Sequence, residues 1–239
     1  MSMTKAHAFW ELRLTLRNGE QLLLTVIIPV VLLFGLNVTG IFSPSDSLSR
    51  IESAFPVVCM VSLIATCFTS LAIGTGFERR SGALTFLATT PLGRQGLVLG
   101  KVIATVMLAA LSLALVTVVA VILGWRPSLD ALWAIPTLLI AGVAFATWAL
   151  VIASVFRAEA VLAIANALFL LLVVVGGVSS SVTSMPLDAL VAVVPSAALS
   201  DALRNSLGAG ASPQWWTLVI LVAWALAGFA IARKRFSWQ

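Results

Sequence analysis

The sequence predicts an all-α, polytopic membrane protein with six transmembrane helices and one short interfacial helix before them. Hydrophobic residues occupy 61% of the 239 positions and charged residues only 10%, whereas soluble domains carry about 25% charged residues. Apolar runs of about 20 residues, the length that crosses a bilayer, recur along the chain with the charges in the gaps. The runs are continuous, unlike the alternating strands of a membrane barrel. We therefore expect a single transmembrane domain over residues 1–239.

The first predicted element is an interfacial helix at residues 8–21. Apolar Phe9, Trp10 and Leu14 alternate there with Arg13 and Arg17, so the segment is too charged to span and is expected to lie flat at the membrane surface. The apolar runs after it are continuous enough to be read as spans, which must be helical because lipid offers no partners to bare backbone groups. The predicted spans are residues 22–42, 54–77, 102–125, 132–156, 161–178 and 215–232.

The basic residues give the orientation of these spans. With both termini placed in the cytoplasm, only Arg50, Arg126 and Arg204 of the 14 lysines and arginines fall in outer loops, as the positive-inside rule requires. We expect a multi-pass protein of the inner (plasma) membrane. The net charge of +5 reports this topology, and because the basic residues are spread over separate inner segments, no nucleic-acid partner is expected.

The inventory of reactive residues predicts that this chain is not an enzyme. His7 is the single histidine, and Cys59 and Cys67 lie in one predicted span, too far apart along a helix to pair. No P-loop, GxSxG or HExxH sequence occurs, so no catalytic or metal-binding residues are predicted. The spans are also nearly free of ionisable groups, which argues against an ion-coupled secondary carrier.

A few polar side chains remain inside the predicted spans. Ser62, Thr66, Thr69 and Ser70 recur at helical spacing on one face of the second span. Small polar residues of this kind either pack helices together or form a weakly polar wall of a substrate path. Asn166 in the fifth span is expected to find a partner in the bundle interior, through packing, dimer registry or substrate contact. The candidate pathway residues are Ser62, Thr66, Thr69 and Asn166.

The inner loop at residues 78–101 is the most specific stretch of the sequence. A charged cluster ends the second span, Gly82 permits a turn, a short apolar patch follows, and Pro91 interrupts the chain before the third span. These features indicate either ordinary stop-transfer charges or a compact loop that seats on a partner protein. The candidate partner-contacting residues are Glu78, Arg79, Arg80, Gly82, Leu84, Pro91 and Arg94.

This pattern resembles the permease subunits of ABC-2 type exporters. The resemblance rests on Glu78-Arg79-Arg80, then Gly82-Ala83 with leucines, then Thr90-Pro91-Leu92-Gly93-Arg94 and Leu99-Gly100-Lys101, all in the family's order. It extends to an N-terminal "elbow" helix and six spans. The outer segment 179–213, broken at Pro186 and Pro195, resembles the family's re-entrant outer helices.

The resemblance implies that the chain is one half of a transmembrane dimer, with itself or with a homologue. Two copies of a cytoplasmic ABC ATPase would dock on the elbow and on the loop from Glu78 to Arg94. ATP and Mg²⁺ would then belong to the ATPase, and this chain would bind no cofactor. The implied activity is export of an amphipathic or lipid-like compound by alternating access, with drug or antibiotic efflux as the leading role. A non-transporting membrane scaffold or assembly factor, and an ion-coupled carrier, remain the alternatives.

Overall fold

The structure, a computed structural model, describes residues 3–19, 23–39, 49–88, 93–178 and 188–235, and within these ranges it contains helices and no strand. Shorter turns of other helical types accompany the α-helices: π-helical turns at Leu23–Ile27, Ala65–Ser70 and Arg204–Ala209, and a 3-10 turn at Leu129–Trp133. The helices in chain order are α1 Met3–Arg17, α2 Ile28–Thr39, α3 Arg50–Arg80, α4 Ala83–Ala88, α5 Gly93–Ile122, α6 Ala134–Val155, α7 Ala158–Val178, α8 Asp188–Ala192, α9 Pro195–Leu203 and α10 Trp215–Arg235.

The described chain contains five helical stretches that are long and apolar enough to cross a membrane. They are Arg50–Arg80, Gln95–Ile122, Leu129–Val155, Ala158–Gly177 and Trp215–Lys234. The first predicted span, 22–42, corresponds to a shorter apolar helix, Thr25–Thr39, and both of its predicted ends fall on residues that the structure does not describe. An all-α polytopic membrane protein is therefore confirmed.

The second span is longer than the sequence predicts at both ends. Helix α3 begins after Ser49, whose hydroxyl accepts the backbone N–H of Glu52 while the Glu52 carboxylate accepts the Ser49 N–H at 2.7 Å, a capping box. It then continues beyond Phe77 to Arg80. Two arginines in the last turn complement the negative end of the helix dipole, so the charges extend this helix instead of ending it.

The predicted inner loop is mostly helical. Helix α3 ends in a tight turn in which Ser81 N–H donates to Phe77 at 2.9 Å and Gly82 N–H donates to Arg79 at 3.2 Å. Gly82 has a φ of 79°, a left-handed conformation that suits a residue without Cβ. Helix α4 follows at once, and α5 begins at Gly93, before the predicted start of the third span. We call the end of the bundle that carries this turn the inner end.

Helix α3 occupies the centre of the packed bundle, and the most extensive helix pair is α10 against α6. That pair comes close because Gly228 carries no side chain: a Cβ placed there would lie 2.4 Å from Thr147 Oγ1 and 2.8 Å from Trp148 Cδ1. Near Gly228, the indole of Trp148 donates to the carbonyl of Trp224 at 3.1 Å, and the indole of Trp224 donates to the carbonyl of Val193 at 2.9 Å.

The described part of the outer segment packs into the bundle. Helix α9 is almost wholly buried and contacts α3, α6, α7 and α10. Arg204 after it donates to the carbonyls of Gly177 at 3.1 Å and Gly176 at 3.4 Å, which are orphan acceptors at the end of α7. The indole of Trp125, three residues beyond the end of α5, donates to the carbonyl of Leu207 at 2.8 Å. The first part of the predicted segment, including Pro186, lies outside the described residues.

Candidate functional site

Three consecutive charged residues at the inner end of α3 each hold a different part of the protein. Glu78 accepts an ion pair from Lys101 of α5, with Oε2 2.7 Å from Nζ. Successive residues of a helix point about 100° apart, so one turn of α3 reaches several neighbours. The charged cluster that the sequence assigns to partner contact therefore already binds the chain's own helices.

Arg79 caps the C-terminal end of α6. Its Nη1 donates to the carbonyl of Ser154 at 2.6 Å and its Nη2 to the carbonyl of Phe156. The last carbonyls of a helix have no intrahelical donors and carry the negative end of the helix dipole. A guanidinium supplies hydrogen-bond donors to these carbonyls and a positive charge to the negative end of the dipole, so Arg79 fixes the end of α6 against α3.

Arg80 pairs with Glu159 in the first turn of α7. The side chains are 61% and 60% exposed, so water screens the attraction and the pair contributes little to stability. Its position at the N-terminal turn still suits the Glu159 carboxylate, which the helix dipole favours. Of the three charged residues, Arg80 is thus the one whose side chain is most open to a partner.

The remaining inner-loop candidates have different environments. Leu84 is fully buried and belongs to the hydrophobic core, so it anchors α4 to the bundle, whereas the sequence interpretation gives it a partner-contacting role. Ser81, Gly82 and Ala83 are exposed beside it. Pro91 lies outside the described residues, and Arg94 is described only as a helical residue of α5.

The elbow helix α1 crosses the start of α5 at Gly100 and Lys101, a contact that the sequence did not predict. Lys101 Nζ pairs with Glu11 of α1 as well as with Glu78, and one turn earlier His7 lies against Gly100. Burial holds the pKa of His7 below its usual value, so its imidazole is neutral at pH 7. The charges of this inner cluster, defined as Glu11, Glu78 and Lys101, are thus two negative and one positive.

A small polar cavity lies beside the inner cluster. Its volume is about 100 Å³, enough for about three waters at about 30 Å³ each. Thr66 and Thr75 line it, and their hydroxyls are buried without a hydrogen-bond partner, which is costly unless water satisfies them. The other polar lining residues are Glu11, Thr15, Ser70, Glu78, Lys101 and Thr105.

A larger cavity of about 530 Å³ lies on the other side of Ser70 and Gly74, which line both spaces. It is amphipathic: hydroxyl and amide groups share the wall with apolar side chains. Among the residues that the structure describes, none of those lining it is charged. Its lining residues are Asn18, Thr25, Ile28, Ala65, Thr69, Ser70, Ile73, Gly74, Asn166 and Phe169.

The structure brings two of the four predicted pathway residues together, Thr69 and Asn166, in the larger cavity. Thr66 lines the polar cavity, and Ser62 is buried and lines neither. Thr66 and Thr69 both belong to the π-helical turn Ala65–Ser70, whose residue spacing differs from that of a regular α-helix. Such turns occur often at functional sites.

Asn166 does not have the interior partner that the sequence led us to expect. It is exposed in the described structure, and its amide donates to the carbonyl of Leu162 on its own helix at 2.8 Å. A polar residue within a span normally faces protein or a water-filled space. The larger cavity, which Asn166 lines, is such a space.

These features define a class of protein: a polytopic membrane protein with a structured inner loop, an elbow helix held against it, and an amphipathic cavity between its helices. The sequence model of the ABC-2 type transporter family matches residues 4–207. The chain therefore belongs to the ABC-2 type transporter family and is a permease component of an ABC transporter. No curated protein matches it. The family generally associates with an ABC ATPase and is itself a non-catalytic transmembrane component.

Proposed function

We propose that this chain is one transmembrane half of an ATP-driven exporter that moves an amphipathic or lipid-like compound outward. The observation that carries the proposal is the larger cavity, whose lining combines apolar Ile28, Ile73 and Phe169 with Thr69 and Asn166. A wall of this composition favours a compound with both apolar and hydrogen-bonding parts over an ion or a sugar. Drug or antibiotic efflux is the leading role.

The exposed face of α7 supports a second permease half. Helix α7 is among the least buried spans of the described chain, and it presents the amide of Asn166 beside Leu162 and Leu170, which are also exposed. An amide is poorly matched to lipid tails but can bond across a helix interface. A second copy of this chain, or a homologue, would cover Asn166 and turn the open cavity into a pathway shared by two halves.

The exposed surface around the α3–α4 turn is our candidate for the ATPase contact. Arg80, Ser81 and Ala83 are accessible there, while buried Leu84 fixes α4 to the bundle. A force applied to α4 therefore reaches α3 through a packed contact, and Arg79 connects α3 to α6. In this proposal two cytoplasmic ATPase subunits hold ATP and Mg²⁺, and the termini of the permease lie on the same side of the plasma membrane.

Purification in mild detergent, from cells that express the neighbouring genes, tests the proposal first. We expect a stoichiometric subunit that carries a P-loop, and a purified complex whose ATPase activity rises with cargo. A preparation with no such subunit would contradict the exporter and favour a scaffold. A complex whose transport follows an ion gradient and ignores ATP would favour a carrier.

Cavity variants then test the pathway. We expect Thr69→Val and Asn166→Leu to change the cargo concentration that gives half-maximal ATPase stimulation several-fold, because each removes a hydrogen-bonding group from the cavity wall. Thr137→Val is the matched control: Thr137 is buried, and its hydroxyl donates to the carbonyl of Trp133 just before α6, away from this cavity. Equal responses from all three variants would remove the cavity from the transport path.

A further inference from the structure

The Lys101 side chain is only 1% exposed, which is rare for a lysine. It emerges from the first turns of α5 and pairs with Glu78 of α3 and with Glu11 of α1. The Glu11 side chain is 23% exposed and the Glu78 side chain 37%, so the lysine forms the buried centre of the inner cluster and the carboxylates form its rim. Three separate helices thus meet on one ammonium group.

A steric contact accompanies the ion pairs. A Cβ placed on Gly100 would lie 2.4 Å from Cδ2 of His7, so the absence of a side chain there lets α1 approach α5. His7 and Glu11 are one turn apart on α1 and therefore share a face, and they contact the adjacent residues Gly100 and Lys101. Shape and charge thus fix the elbow helix at the same place.

We propose that Lys101 is the positioning residue that makes the elbow helix follow the inner end of α3 when the ATPase moves it. This inference rests on the proposed function. The path is short: α4 is packed to α3, Glu78 at the end of α3 holds Lys101, and Lys101 holds Glu11 of α1. The elbow is then moved from inside the permease and needs no ATPase contact of its own.

The charges of the inner cluster explain why the three helices stay together. The buried ammonium offsets the repulsion between the two carboxylates, and removing it leaves two like charges close together at the rim of the cluster. Separating α1 from α3 would likewise leave Lys101 with a lost partner. The cluster therefore resists any movement in which α1 and α3 part, while permitting one in which they move as a unit.

Two spin-label distances test the proposal in the complete complex. Spin labels at Leu14 of α1 and Ala83 of α4 report whether the elbow follows α4. Labels at Ala83 and Leu226 of α10 report whether ATP moves α4. All three positions are exposed. In the wild type we expect ATP to change the second distance and leave the first unchanged. In Glu11→Gln we expect both to change, because α4 still moves and the elbow no longer follows.

Transport and basal ATPase activity should respond differently to variants of the inner cluster. We expect Glu11→Gln and Lys101→Met to keep basal ATPase activity and to lose at least about tenfold in transport, within the range of ordinary allosteric coupling. Lys101→Arg, which keeps the charge, should retain most transport, and Lys234→Met is a matched control because Lys234 is exposed. Glu11→Gln preserves the Lys101–Glu78 pair, so it remains informative if Lys101→Met fails to fold.

The outcomes distinguish this inference from the proposed function. If ATP leaves the Ala83–Leu226 distance unchanged in the wild type, the exporter proposal fails, and the resting Leu14–Ala83 distance still shows whether Glu11→Gln releases the elbow. If Glu11→Gln keeps a wild-type Leu14–Ala83 distance and wild-type transport while α4 responds to ATP, Lys101 has no positioning role.

Gly100→Ala offers a steric check: it should displace the elbow, and His7→Ala in the same chain should restore it.

Discussion

Replacing Gly228 with alanine should destabilise the protein, although the same change in an open helix is stabilising. Gly228 is where α10 packs on α6, and the new Cβ would lie 2.4 Å from Thr147 Oγ1 and 2.8 Å from Trp148 Cδ1. Neither neighbour can move freely. The Thr147 hydroxyl donates to Val143 and Ala144, each at 2.9 Å, and the Trp148 indole donates to Trp224.

The size of the effect follows from these contacts. Forcing an extra carbon into a packed contact costs about 1–3 kcal/mol. Gly35→Ala is the control, since nothing lies within 4 Å of a Cβ built at Gly35 in α2, and alanine is favoured over glycine in a helix by about 0.5–1 kcal/mol. The two variants should therefore differ in sign.

Thermal unfolding of the detergent-solubilised protein measures the difference. A loss of 1 kcal/mol lowers Tm by about 2–4 °C in a chain of this size, so Gly228→Ala should unfold about 2–12 °C below the wild type. Gly35→Ala should not unfold earlier. Adding Thr147→Ala should recover part of the loss, because it removes one of the two obstructing groups. Equal Tm values for Gly228→Ala and Gly35→Ala would refute the close packing of α10 on α6.

Two further variants test the outer segment and the inner turn. Arg204→Gln should destabilise the outer segment by about 1–2 kcal/mol, because charged hydrogen bonds to the carbonyls of Gly176 and Gly177 are lost. We expect hydrogen exchange in α9 to become faster. Unchanged exchange would mean that Arg204 does not hold this segment. Gly82→Ala should cost about 1–2 kcal/mol at a φ of 79°. Hydrogen exchange in α4 should then accelerate, whereas Gly19→Ala, near the end of α1, should leave α4 unchanged.

The sequence predicted the all-α membrane fold because lipid imposes one solution on long apolar runs. It did not predict the length of α3, because charges usually mark the end of a span. Here Glu78, Arg79 and Arg80 find partners on other helices, so the helix continues. Those partners are far away in the chain, and neither composition nor periodicity indicates them.

The candidate site was predictable only in part, for the same reason. Glu11 and Lys101 are 90 residues apart, so no spacing or periodicity in the sequence indicates that they pair. A clue existed in Gly100 beside Lys101, since a glycine at the start of a span permits another helix to approach. The two roles open to the hydroxyls of the second span, helix packing and a substrate path, stay predictions. Spacing arguments could not indicate the π-helical turn at Ala65–Ser70, because they assume a regular helix.

The three charged residues that end α3 make the chain length at this point a structural requirement. Because Glu78, Arg79 and Arg80 each bind a different neighbour, inserting or deleting one residue before them would rotate all three by about 100° and break every connection at once. A change of one residue in chain length where α3 meets the inner end is therefore expected to release α5, α6 and α7 from α3 together.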